Sequence, residues 1–186
     1  MMDQFLEEVV TKQNRGLQTV SYLVANVLMV LLGLVALMNF ASISTVITQR
    51  GFGTEFFLTL LWMVLFGAGA GFLFLYRDRL RMEYEYTFTN GQMDFAQVFN
   101  NKKRKSLGTM NIRNVEACGM VSSGSFNRYI NMQGIKRTNW FLNREAELLY
   151  FYFQKDGQKR IIIIEPSEEM TGMIKRSLPQ GIWQIN

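Results

Sequence analysis

Residues 16–49, GLQTVSYLVANVLMVLLGLVALMNFASISTVITQ, carry no formal charge, and a second apolar run, FFLTLLWMVLFGAGAGFLFLY over residues 56–76, follows a short polar break. At ~1.5 Å per helical residue about 20 residues cross the ~30 Å hydrocarbon layer, so each run is long enough to span a bilayer. Backbone groups find no water inside that layer, and each run is therefore expected to be helical. The stretch STVITQR (44–50) is polar enough to lie outside the lipid, which places the spans near residues 21–40 and 56–76. Outward from this core the chain divides into an amphipathic N-terminal segment (1–16), a two-helix transmembrane hairpin (17–81) and a polar remainder (82–186).

Flanking charge sets the expected orientation. Lys12 and Arg15 precede the first span, Arg77, Arg79 and Arg81 follow the second, and the connecting loop holds only Arg50 among the basic residues. By the positive-inside bias both termini are cytoplasmic, which makes the chain a multi-pass protein of the cell membrane. Tyr22 and Tyr76 then fall near the inner interface, and Phe52, Phe56 and Phe57 toward the outer one. A secretory signal would open on a basic stretch and a shorter apolar core; this chain begins with the acidic MMDQFLEE, so the first span is expected to be retained. In residues 1–10 a helix would place Met1, Phe5, Leu6, Val9 and Val10 opposite Asp3, Glu7 and Glu8. Such a helix either lies on the inner leaflet or packs on the cytoplasmic domain. Gly67 and Gly71 form a G-x-x-x-G pair, whose small surface suits close helix packing, either within the chain, near Gly33 of the first span, or across a homo-oligomer seam.

The mean hydropathy of +0.02 averages an apolar first part with a polar second. The whole chain has a net charge of +5, and most of it belongs to residues 82–186. A mildly basic domain suits work beside an anionic membrane surface. Cys118 is the only cysteine and histidine is absent. Intrachain disulfides and thiolate zinc cages are excluded, and the commonest general base and metal ligand is missing.

From Met82 the hydrophobic period changes to two: Met82, Tyr84, Tyr86 and Phe88 alternate with Glu83, Glu85 and Thr87. Asn90-Gly91 predicts a tight hairpin turn and a return strand over 93–99. Further strands are expected near 105–112 and 115–121, the latter holding Cys118 in the core. Residues 122–143 predict a long loop with one or two short strands. ELLYFYFQKDGQKRIIIIEP (147–166) is the clearest hairpin, turning at Lys155-Asp156-Gly157. Ser167 is suited to cap a closing helix, with Glu168 and Glu169 in its first turn, Lys175 and Arg176 in its last, and Met170, Met173, Ile174 and Leu178 on its apolar face.

About seven antiparallel strands and a terminal helix form an all-β plan, a barrel or sandwich capped by the C-terminal helix. Its order resembles the pleckstrin-homology-like superfold in its bacterial form. The resemblance is carried by YEYTFTNGQMDFAQVF, ELLYFYFQKDGQKRIIIIEP and SEEMTGMIKRSL, and covers roughly residues 82–178. A two-span anchor leading into such a domain also looks like a group of small bacterial membrane proteins of Gram-positive organisms. The resemblance implies a fold and no activity. Eukaryotic relatives often bind phosphoinositides through a basic loop between their first strands. The corresponding turn here, Thr89-Asn90-Gly91, has no basic residue, so lipid contact is expected to be general to anionic lipids.

Lys102, Lys103, Arg104 and Lys105 are four consecutive cations in a hairpin turn. The first strand leaves the membrane after Arg81 and the second returns antiparallel, so this turn is expected at the membrane-proximal end. With Arg77, Arg79 and Arg81 it would form a basic collar on the anionic inner leaflet; the alternative is a solvated hairpin tip. Lys136, Arg137, Trp140 and Arg144 interleave cations with aromatics and suit a partner surface. A membrane anchor and a modest net charge argue against nucleic acid as that partner. Ser122-Ser123-Gly124-Ser125 lacks the later glycine and lysine of a phosphate loop. The carboxylates are scattered and no nucleophile pairs with a base, so neither catalysis nor a cofactor is expected. The sequence therefore predicts a membrane-anchored, cytoplasmic-facing binding or scaffold module for a protein partner or a second copy. The alternatives are an accessory subunit of a transporter or channel and, last, an enzyme.

Overall fold

The computed structural model describes residues 4–185. The chain divides into two compact units, one running from Asn14 to Arg81 and the other combining the segment up to Gln13 with everything from Met82 onward.

The first unit is a helical hairpin, α1 (Arg15–Arg50) and α2 (Thr54–Tyr76), followed by a short 3-10 turn over Arg77–Arg81. Both helices are long and apolar enough to cross a membrane. The α1 helix runs for 36 residues, on the order of 54 Å, and so outlasts the hydrocarbon layer and carries STVITQR as continuous helix. Asn14 starts it by accepting from the Leu17 N–H at 3.2 Å. Apart from Ala25, no residue of either helix is buried, and leucines, valines and phenylalanines face outward all round. Polar side chains inside the hairpin turn back on their own helix: Asn26 donates to the Tyr22 carbonyl at 2.6 Å, and Asn39 to Val35 at 2.8 Å. Such bonds offset the cost of a polar group in an apolar surrounding. Where the helices meet, a Cβ on Gly67 would stand 4.0 Å from Ala36 and one on Gly69 3.3 Å from Leu32, whereas Gly33 and Gly71 have nothing within 4 Å. The intrachain seam thus uses Gly67 and Gly69, and the second member of the G-x-x-x-G pair faces outward.

The second unit is a sandwich of two sheets. One has the order β1-β2-β3-β4, formed by Phe5–Val10, Met82–Thr89, Gln92–Phe99 and Lys103–Asn111, antiparallel throughout. The other has the order β6-β8-β7-β5-β9, from Lys136–Trp140, Gln158–Ile164, Leu149–Lys155, Ala117–Met120 and Trp183–Gln184. Asn90 and Gly91 adopt φ of 50° and 86°, the pair of positive angles that a two-residue turn between β2 and β3 requires. Tyr84, Tyr86 and Phe88 point into the sandwich, while Glu83, Glu85 and Thr87 line the other face.

The inter-sheet core joins Phe88, Met93, Phe95, Phe151 and Ile164 with Met170, Met173 and Ile174 of α4 (Glu168–Ser177). Ser167 caps that helix, accepting from the Met170 N–H at 3.2 Å, as the sequence predicts. A second cluster lies on the far face of the β6-containing sheet, where Tyr150, Tyr152, Ile161 and Ile163 are covered by Phe126, Tyr129 and Ile130 of α3 (Gly124–Ile130). Ile161 and Ile163 therefore face one core, and Ile162 and Ile164 the other.

Three expectations need correction. The helix expected at the N-terminus is the strand β1, with Met1 and Asp3 outside the described residues; Leu6 and Val10 alternate with exposed Phe5, Glu7 and Val9, and the free edge of β2 recruits the segment into its ladder. The region 122–143 contains one strand, as anticipated, but also the helix α3, which forms because β7 and β8 present an apolar outer face to cover. Finally, the chain adds a strand after the closing helix, where the sequence pattern predicts none: the two residues of β9 lie parallel to β5, held by Cys118 N–H donating to the Ile182 carbonyl at 3.1 Å.

Candidate functional site

The three arginines that end the hairpin unit each meet an aromatic ring. Arg77 lies 5.2 Å from the Phe74 ring centroid, Arg79 4.4 Å from Tyr76 and Arg81 4.3 Å from Tyr22. Arg77 also donates to Asn26 and approaches the Met29 sulfur at 3.8 Å. Cation–aromatic stacking of this kind suits an apolar-to-polar boundary, where the ring is half-immersed and the guanidinium remains hydrated.

In the sandwich, Asn100 and Asn101 adopt left-handed φ of 51° and 53°, and Lys102 N–H donates to the Phe99 carbonyl at 3.0 Å, closing the turn into β4. Met82 pairs with Phe99, and Phe99 with Lys103. The basic turn therefore sits at the end of the sheet where the chain enters β2. Val10, the last residue of β1, pairs with Tyr84 near that same end. Lys102, Lys103 and Lys105 are exposed. Arg104 differs: its Nε reaches Glu85 Oε2 at 2.8 Å across β3, over the site where the small Ala96 pairs with Glu85. Arg104 is thus partly structural, and three lysines remain as the open cationic face.

Lys136, Arg137 and Arg144 are exposed. Trp140 is turned inward, its ring 4.8 Å from that of Phe95 and its carbonyl accepting from the Tyr86 hydroxyl. Arg137 also donates to Asn139 at 3.0 Å. The four do not form one aromatic-cationic patch: three cations lie on the surface, and the partly buried Trp140 packs against the core.

A buried polar knot escaped the sequence reading. Asn143, 9% exposed, is the single buried polar side chain among the described residues. Its amide donates to the Thr11 carbonyl at 2.9 Å and to Glu165 Oε1 at 2.6 Å, and its Oδ1 accepts from Gln13 N–H at 2.8 Å. Glu165 Oε2 accepts from the Leu142 and Asn143 N–H groups at 3.1 and 2.9 Å. Glu8 accepts from Ser167 N–H at 2.8 Å, and the Tyr86 hydroxyl accepts from Glu165 N–H at 3.3 Å. Burial raises the pKa of that phenol and keeps it a neutral donor and acceptor. The knot ties the end of β1 to the second sheet. Asparagine and glutamate between unlike segments carry no local signature, so no pattern in the sequence could single them out.

Two such sheets packed face to face with helices fit a pleckstrin-homology-like sandwich. Residues 2–184 match the family model described as bacterial PH-like domain (DUF6106), and the chain belongs to that family. No curated protein and no solved structure matches it.

Proposed function

We propose that the chain is a membrane-anchored binding module whose PH-like domain faces the cytoplasm and acts by association without chemistry. The observation that carries this reading is the exposure of both long helices. Helices apolar all round are stable only in an apolar solvent, and a soluble core helix of this composition would be buried by its own chain. Lipid on every side satisfies them. The domain's two peptide connections, after β1 and before β2, leave it at the end that carries Lys102, Lys103 and Lys105. A positive turn at that end suits contact with anionic lipid of the inner leaflet, each cation contributing about 1 kcal/mol before screening. Arg77, Arg79 and Arg81, which immediately precede β2 in the chain, carry the same sign of charge. The partner surface is assigned to Lys136, Arg137 and Arg144, exposed cations that would meet an acidic protein or a second copy; nucleic acid is not the expected partner.

Cys118, buried and with its thiol pKa raised by that burial, gives a silent background for topology labelling. A Phe52→Cys variant should react with an impermeant maleimide added to intact cells, and an Asn127→Cys variant only after permeabilisation. The reverse pattern would place the domain outside and end the proposal. Crosslinking in native membranes would then identify what the cationic surface holds.

A further inference from the structure

A cleft of about 250 Å³ opens between the sheets, along the far half of the edge strand β4. Its floor is apolar: Phe95, Leu107, Trp140, Phe153 and Ile162. Its cations are Lys155 and Arg160, and no carboxylate lines it among the described residues. Gly108, at φ 152°, stands 4.0 Å from the Trp140 ring at the position a Cβ would take, so the absent side chain keeps the space above the indole open. Arg160 is poorly satisfied. Its guanidinium meets Asp156 at a long 3.9 Å, and that carboxylate is itself largely exposed, while its Nε is buried with no hydrogen-bond partner among the described residues. A guanidinium held only by that long contact, with a second cation and an aromatic floor beside it, suits an anion attached to an apolar body.

We infer that this cleft binds a small aromatic or short-chain carboxylate, the apolar body resting on Trp140 and Phe153 and the carboxylate facing Arg160 and Lys155. The volume lies just below the usual range for drug-sized ligands, about 300 to 1,000 Å³, so the occupant is small. The cleft borders Thr109, Met110 and Asn111, at the end of β4 opposite the lysine turn, which sets it apart from any lipid contact there. The inference deepens the binding-module reading by naming a ligand class. Loss of carboxylate binding would leave the topology labelling unaffected, so the two fail separately.

The test uses the full chain in nanodiscs of zwitterionic lipid, with its three tryptophans 15N-labelled at the indole and the Trp140 resonance assigned through a Trp140→Phe variant. Titration with 4-phenylbutyrate should shift the Trp140 signal saturably and leave Trp62 and Trp183 in place. The uncharged 4-phenylbutanamide and the cationic 4-phenylbutylamine should bind at least tenfold more weakly. Arg160→Gln should weaken the carboxylate at least tenfold, and Lys155→Gln, a change at an exposed position that does not threaten folding, about threefold. Equal responses to acid and amide, joint shifts of all three tryptophans, or unaltered affinity in both variants would overturn the assignment. Binding of an acidic peptide without any response to phenylbutyrate would do the same, in favour of a protein ligand.

Discussion

Asn143 shows how much of this fold rests on single polar atoms. Replacing it by Ala removes both amide donors and the only side-chain acceptor shown for the Gln13 N–H, so the penalty is desolvation as well as lost bonds. We expect Asn143→Ala to lower stability by about 3 kcal/mol in denaturant titrations followed by near-UV circular dichroism, whereas a change at exposed Asn127 should stay within ~0.5 kcal/mol. The buried acids set the alkaline limit. Burial raises Cys118 above its ordinary 9.0, and Tyr84, Tyr86 and Tyr150 above 10.0. In the unfolded chain these groups lose protons first. Their contribution is complete below pH 9 and is lost progressively as pH rises past 9 and then 10, toward the folded-state values. Melting temperature should therefore be flat with respect to these groups up to about pH 8.5 and fall beyond it. In Cys118→Ala the decline should begin nearly one pH unit later, and an unchanged onset would remove the thiol from this account.

At the level of elements, legibility followed the strength of local pattern. The β2–β3 hairpin, the β7–β8 hairpin and the Ser167-capped helix could be read because alternation, turn residues and capping are encoded within a few positions. FLEEVV supports either period over so short a span, and only the free edge of β2 decides for the strand β1. The α3 helix has no strong local signal, and its trace in the sequence is indirect: four consecutive buried isoleucines mean a strand covered on both faces, and a sheet buried on both faces needs a second covering layer. The β9 strand is legible only in three dimensions, through Gly119. A Cβ there would stand 3.0 Å from the Gln184 carbonyl oxygen, 3.2 Å from Gln184 Cβ and 3.3 Å from the Tyr150 ring. Gly119→Ala should push β9 off its neighbour at a cost of roughly 1–3 kcal/mol. The measurement is exchange of the Cys118 amide, bonded to Ile182, which should quicken more than tenfold while the β2–β3 amides change little. Uniform quickening would mean that the two-residue strand is not a separate unit.

For the whole molecule, the lysine turn and its arginine neighbour make opposite predictions, although they are adjacent in sequence. Lys102, Lys103 and Lys105 make no ion pair among the described residues, so their charge is available to a surface; Arg104 is engaged with Glu85. Three cations at about 1 kcal/mol each would bias the domain toward an anionic bilayer by on the order of 100-fold at low salt. Screening shortens their reach from ~10 Å at 0.1 M to ~3 Å at 1 M ionic strength. A spin label on an Asn101→Cys variant, in nanodiscs containing anionic lipid, should collide with a lipid-soluble relaxing agent at low salt. The signal should fall toward that of zwitterionic discs at 1 M salt, or when the three lysines become glutamines. Arg104→Gln should instead leave most of the lipid contact while loosening the β2–β4 face around Ala96. Lipid contact that persists in the triple variant at low salt would show that the turn does not hold the domain to the membrane, and that its orientation is fixed by the two peptide connections alone.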